Sequence, residues 1–182
     1  SFIRLNKKAF YMTVEEFKLE VLPVKNKLFR FAKRLLNSTE EAEDTVQEVF
    51  IRLWSKKEKL TEYRSIEAFA MVITKNLCLD KLKSTKHKTS ELTVVNETIN
   101  ESTPYDYTEI TDTLNKVHKI IDELPEQQRM IIQLRDIEGC DFDEIAEILS
   151  LSLNTIRVNL SRARKKVRDV LIKAQNYEFS TN

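Results

Sequence analysis

DFDEIAEILSLSLNTIRVNLSRARKKVR, from Asp141 to Arg168, is the stretch whose reading decides the fold. It opens acidic, at Asp141, Asp143, Glu144 and Glu147, and closes basic, at Arg157, Arg162, Arg164, Lys165, Lys166 and Arg168. Apolar residues recur at helical spacing on both sides of a short break. Phe142, Ile145, Ala146 and Leu149 stand before it; Ile156, Leu160, Ala163 and Val167 follow it. The break, Ser150-Leu151-Ser152, has the length of the turn in a helix-turn-helix. Ser152 is placed to cap the second helix by accepting from a free amide of its first turn. That helix then has an apolar back and a front of Asn154, Arg157, Asn159, Ser161, Arg162 and Lys165. Such a helix packs against a small core and offers its polar front to a DNA major groove.

Composition agrees with helices throughout. The 182 residues hold 1 Gly and 3 Pro, too few turn formers for a many-stranded β protein. The longest apolar runs fall well short of a membrane span, which predicts a soluble, cytoplasmic protein that is not membrane-inserted. Cys78 and Cys140 lack a CxxC spacing or a nearby histidine pair, so neither a metal site nor a disulfide is expected. The net charge is only +1, and its distribution says more than its sum. Positive charge gathers at Lys75, Lys81, Lys83, Lys86 and Lys88, and again from Arg157 to Lys173. Negative charge gathers at Glu40, Glu41, Glu43, Asp44 and Glu48, and from Glu91 to Asp112.

The pattern from Val14 to Lys88 is helical. A first helix turns Val21, Val24, Leu28, Phe31, Ala32 and Leu35 inward, tolerates Pro23 only near its start, and stops near Asn37. Ser38 followed by Glu41 predicts a capping box. The next helix buries Val46, Val49, Phe50 and Leu53. A polar connection, Ser55 to Arg64, leads to a third helix from about Ser65, with Ile66, Phe69, Ala70, Ile73 and Leu77 facing its core. Residues 89–111 carry no Lys or Arg and include five carboxylates and Pro104, which predicts an acidic flexible linker. Helices resume near Asp112, restart at Pro125, and reach Gly139, expected as a left-handed turn residue. The fold class is therefore all-α: two small helical domains, 14–88 and 112–175, joined by a linker at 89–111, with a helix-turn-helix in the second. Residues 1–12 carry no assignment.

Three segments together resemble a bacterial RNA polymerase sigma factor of the extracytoplasmic-function (ECF) group. EEAEDTVQEVFIRLW, Glu40 to Trp54, is similar to the family's core-polymerase-binding helix. SIEAFAMVITKNLCLDKLK, Ser65 to Lys83, resembles the helix that meets the minus-ten promoter element. Leu124 to Arg168 resembles the minus-thirty-five-binding domain. The three occur in the family's own order and cover most of the chain.

The resemblance implies a division of labour. On the helix from Glu40, Asp44, Gln47, Glu48 and Ile51 stand at i, i+3, i+4 and i+7, a polar and apolar strip that would grip the polymerase clamp. Lys75, Asn76, Asp80 and Lys83 would face minus-ten DNA. Tyr63 and Arg64, in the preceding loop, would capture an unstacked base of the opened strand. The family often has glycine in that loop, and this chain has none. In the helix-turn-helix, Asn154, Thr155, Arg157, Asn159, Ser161, Arg162, Arg164 and Lys165 are the DNA-facing candidates. Arg157 is nearest the helix start and suited to bases; Arg162, Arg164 and Lys165 are suited to phosphates. Ser150 stands where the family commonly has glycine, which implies local strain.

The implied partners are core RNA polymerase, promoter DNA and an anti-sigma factor, with no cofactor and no small-molecule substrate. The alternative is a stand-alone helix-turn-helix regulator whose first domain senses a ligand or dimerises. It accounts for the second half of the chain, but not for Asp44, Gln47 and Glu48 beside a second basic helix. An enzyme is disfavoured: there is no glycine-rich phosphate loop and no convincing Ser/His/Asp set, and His87 and His118 stand among ordinary residues.

Overall fold

The computed structural model describes residues 12–91 and 109–180, and every regular element among them is helical. Expectations for residues 1–11 and for the linker residues 92–108 lie outside the described residues. The helices before residue 92 and those after residue 108 are described as an N-terminal and a C-terminal unit.

In the N-terminal unit, α1 (Val14–Val21) opens at a reciprocal capping box. The Glu16 N–H donates to Thr13 Oγ1 at 3.2 Å, and the Thr13 N–H donates to the Glu16 carboxylate at 2.8 Å. A 3-10 turn, Leu22–Val24, then carries Pro23, and α2 runs over Lys25–Leu36. The single first helix expected from periodicity is thus two helices. Proline lacks the N–H that a continuous helix needs and crowds the carbonyl four residues back. Asn37 ends α2 in the left-handed region, φ 53°. Ser38 caps α3 (Thr39–Ser55), accepting from the Glu41 N–H at 3.2 Å.

The polar connection that follows contains a 3-10 helix, Lys57–Glu62, whose Leu60 is fully buried. Ser65 accepts from the Ala68 N–H at 3.1 Å and opens α4, Ile66–Glu91. Leu28, Phe31, Ala32, Val49, Leu53, Ala70 and Met71 make the centre of this core. The buried hydroxyls of Thr45 and Thr74 donate to the carbonyls of Glu41 and Ala70, four residues back, so neither is left unsatisfied. An ion pair between Lys27 and Glu67 ties α2 to α4.

In the C-terminal unit, α5 (Glu109–Asp122) and α6 (Glu126–Ile132) precede a π-helical turn, Gln133–Ile137. Gly139 follows at φ 74°. A β-carbon there would meet nothing within 4 Å, so backbone conformation rather than crowding calls for glycine. Asp141 and Glu144 form a second reciprocal capping box, both bonds 2.8 Å, and start α7, Phe142–Leu149. Ser150 takes φ 55°, and the Leu151 N–H reaches back to the Ala146 carbonyl at 3.2 Å, closing a Schellman-type turn. Ser152 then accepts from the Thr155 N–H at 3.1 Å, the cap expected of it, and α8 runs over Leu153–Ser180. Ile131, Leu134, Ile145, Ile156, Leu160 and Ala163 fill the core, while Ala146 and Phe142 are only half-buried. The buried Gln133 amide donates to Glu138 at 3.0 Å.

A left-handed backbone at a non-glycine residue is costly, so Ser150→Gly should raise stability by about 0.5–1 kcal/mol. Urea unfolding of the full chain measures this, and an unchanged or lower midpoint would show that Ser150 carries no strain.

Candidate nucleic-acid interface

Helix α3 buries Ala42, Thr45, Val46, Val49 and Leu53, and its opposite side carries the strip read from the sequence. Asp44 and Gln47 are exposed, Glu48 is half-exposed, and Ile51 is 63% exposed. Glu48 accepts from Arg52 Nε at 2.7 Å, one turn along. Beside the strip lies a groove of about 580 Å³ between α2 and α3, lined by Leu22, Phe29, Val46, Gln47 and Phe50 among others. At the end of α3 the Trp54 ring packs edge-on against Phe17, centroids 5.1 Å apart, with Lys57 Nζ 4.0 Å from its centroid. The acidic edge and the exposed isoleucine thus lie on the same helix as one wall of this apolar groove.

Tyr63 lies just ahead of α4. Its ring stacks on Phe69 with centroids 3.9 Å apart and planes within 16°, yet 39% of the residue stays exposed. Arg64 is exposed. Tyr63, Arg64 and Ser65 border a concavity of about 540 Å³ together with Pro23, Leu60 and Glu67. Along α4, Asn76, Asp80 and Lys83 are exposed and Lys75 is half-buried. The side chains of Lys86 and Lys88 lie outside the described residues.

Helix α8 presents the third group. Ile156, Leu160 and Ala163 are buried on its back, while Asn154, Arg157, Ser161, Arg162, Arg164 and Lys165 are exposed. Thr155 and Asn159 sit at the margin between back and front. The Thr155 hydroxyl meets Ser152 Oγ at 2.8 Å, and Asn159 Nδ2 donates to Gln127 at 3.1 Å and to the Thr155 carbonyl at 2.9 Å. The cations differ in what holds them. Arg164 donates to both Asp136 carboxylate oxygens, at 2.9 and 2.5 Å, and that hydrogen bonding raises its pKa above the ordinary arginine value. Its charge is thereby committed to joining α8 to the π-helical turn.

Lys165 Nζ donates to Asp169 at 3.0 Å. This bond, together with the fields of Lys165, Arg168 and Lys173, holds the Asp169 carboxyl below its usual pKa. The Arg157 guanidinium instead lies 5.4 Å from the Phe142 ring centroid, and that ring also has Arg135 Cζ at 4.7 Å. Arg135 and Phe142 escaped sequence reasoning, which took Phe142 as core. The available signal was an aromatic residue opening the first helix of the motif, with arginines on either side in sequence.

An all-helical chain with a capped, basic-faced helix in a helix-turn-helix and an acidic, partly apolar helix face elsewhere has the surfaces that a DNA-directed factor with a protein partner requires. Comparison with known proteins narrows this class. Residues 21–88 match the family described as Sigma-70 region 2, and residues 114–167 match Sigma-70, region 4. The ECF RNA polymerase sigma factor SigW of Bacillus subtilis is 27% identical over 157 residues, covering 81% of this chain and 84% of that protein. RNA polymerase sigma factor SigV of the same organism is 30% identical over 150 residues, covering 82% of this chain and 87% of its own. In fold, the chain matches the sigma factor RpoE, solved in complex with the anti-sigma factor NepR from Bartonella quintana. That match has a TM-score of 0.74 at 24% identity, over 87% of this chain and 98% of RpoE. The chain belongs to the ECF group of RNA polymerase sigma factors. It acts in promoter-specific transcription initiation by RNA polymerase.

Asp169→Asn removes the carboxylate that Lys165 engages and so frees that ammonium for a phosphate. DNA binding should tighten alike on all sequences, and the log–log salt slope should steepen by at most about one unit. Titrations at several salt concentrations measure this; unchanged affinity and slope would place Lys165 away from the DNA backbone.

Proposed function

We propose that the surfaces described above divide promoter recognition among them. Residues 14–88 act as the unit that binds polymerase and the minus-ten element, 89–111 as the linker, and 112–175 as the unit that binds the minus-thirty-five element. The strip of Asp44, Gln47, Glu48 and Ile51 docks on a helical, basic surface of core polymerase, with the groove beside it receiving apolar side chains. Tyr63 and Arg64 hold an unstacked base at the concavity they border, by stacking and charge. Lys75, Asn76, Asp80 and Lys83 track the adjoining minus-ten DNA. The acidic linker threads toward the basic RNA channel of the polymerase.

On α8, Arg157 reads base edges, with Asn154, Thr155, Asn159 and Ser161 beside it; Arg162 and Lys165 hold phosphates, and Arg164 braces the helix that carries them. The observation that carries this reading is a recognition helix with a buried apolar back and an Arg157 that forms no ion pair or side-chain hydrogen bond among the described residues. Its donors are free for a base. The protein initiates transcription without catalysing a step itself, and works in the cytoplasm. An anti-sigma factor, the kind of partner that RpoE has in its complex, restrains it by covering the same faces. No described helix is long and apolar enough to cross a membrane.

Run-off transcription from a promoter pool, with core polymerase and with or without this protein, tests the reading. Initiation should appear only with the protein, at sites sharing two short spaced elements. Specific DNA binding by the protein alone, without such initiation, would favour a stand-alone regulator. Asp44→Lys combined with Glu48→Lys should abolish core binding while circular dichroism stays unchanged; full affinity in a pull-down would remove that face from the mechanism. Arg157→Ala should cost about 1–3 kcal/mol at the upstream element and relax its base preference. Equal loss on every upstream sequence would make Arg157 a phosphate contact.

A further inference from the structure

Two guanidiniums lie over the Phe142 ring, and the three side chains come from three different elements. Phe142 is the first residue of α7 and lies within the Asp141–Glu144 capping box, which fixes its backbone. Arg135 comes from the π-helical turn, with Cζ 4.7 Å from the ring centroid and Nη1 donating to the Cys140 carbonyl at 2.7 Å. Arg157 comes from the first turns of α8, with Cζ 5.4 Å from the same centroid. Phe142 is half-buried and Arg157 is exposed, so the stack sits where the core meets the front of α8.

A guanidinium can be held in two ways with different consequences. A carboxylate engages the N–H donors in the guanidinium plane, as Asp136 does with Arg164. An aromatic face holds the cation through the ring quadrupole and leaves those donors unoccupied. Arg157 is held in the second way, which restricts a long side chain without consuming the groups that would read a base. Restricting it beforehand lowers the entropy lost when DNA arrives.

We propose that Phe142 is a positioning residue for promoter selectivity: its ring, shared with Arg135, presets the Arg157 guanidinium for a base edge of the upstream element. Arg135, anchored on the Cys140 carbonyl, keeps the other side chain at the ring in place. The inference rests on reading Arg157 as a base contact, and the test separates the two.

Holoenzyme assembled from core polymerase and the full chain is given a promoter pool randomised in the upstream element, and the transcripts are sequenced. Arg157→Ala identifies the position whose preference it flattens. Phe142→Leu should lower the preference at that same position by about two- to fivefold, the loss expected for one exposed cation–π contact. Phe142→Tyr should restore it, and Phe142→Leu should cost nothing further when Arg157 is already alanine. Reduced initiation that is equal on all upstream sequences, with the preference intact, would make Phe142 merely structural and overturn the proposal. An Arg157→Ala variant with unaltered preference would overturn the base reading and the proposal with it. A second measurement needs no variant. In the proton NMR spectrum of the unaltered chain, the Arg157 δ-methylene should show an upfield ring-current shift. Its absence would overturn the proposal even if Phe142→Leu failed to fold.

Discussion

Each α-helix ends with four carbonyls that lack intrahelical donors, and the chain must change direction before another helix can pack back on it. A chain with a single glycine has little of the residue that makes this easy. Three corners here take the left-handed conformation: Asn37 at φ 53°, Gly139 at φ 74° and Ser150 at φ 55°. Within two residues of each, a side chain caps the next helix: Ser38, Asp141 and Ser152 in turn. Stop and start are thus coupled at every one of these corners. The exit angle of one helix and the entry of the next are set together, and the buried stripes can meet only because they are.

The cations on and around the recognition helix carry one formal charge each and do different work. Arg164 is fastened to Asp136, so it stiffens the unit and adds little to the outer field. Lys165 is paired within its own helix to an exposed carboxylate, a bond that water and phosphate readily replace. Arg157 lies over an aromatic ring and, among the described residues, makes no ion pair or side-chain hydrogen bond. Net charge near zero is therefore compatible with DNA binding, because what matters is which cations remain available and where they stand.

How much of this was legible depended on range. Ser152 as a cap, Asn37 as a stop and Gly139 as a left-handed residue are properties of four or five consecutive residues, and all three hold in the structure. The exposed and buried faces of α3 and α8 follow from period alone, and most of the candidate site residues do lie on exposed faces. Leu60 was not legible, because one apolar residue among lysines and glutamates has no period, though it is fully buried. The ties Arg164–Asp136 and Asn159–Gln127 join residues 28 and 32 positions apart, and a face pattern does not say which partner a face meets. Phe142 fitted the apolar stripe and was taken for core; its second role needs two arginines that only the fold brings to it.

The π-helical turn at Gln133–Ile137 has a further consequence. The Glu138 N–H reaches the Gln133 carbonyl, five residues back, so the helix holds one residue more than an α-helical ring would. A residue advances an α-helix by about 100°, so that extra position sets the rotational phase of everything around it. Arg135 and Asp136, adjacent in sequence, are thereby aimed at different neighbours, Phe142 and Arg164. Removing one residue before Arg135 would turn Arg135 and Asp136 out of register with both partners. The length of this segment is therefore as much a requirement of the two contacts as the identities of the residues that make them.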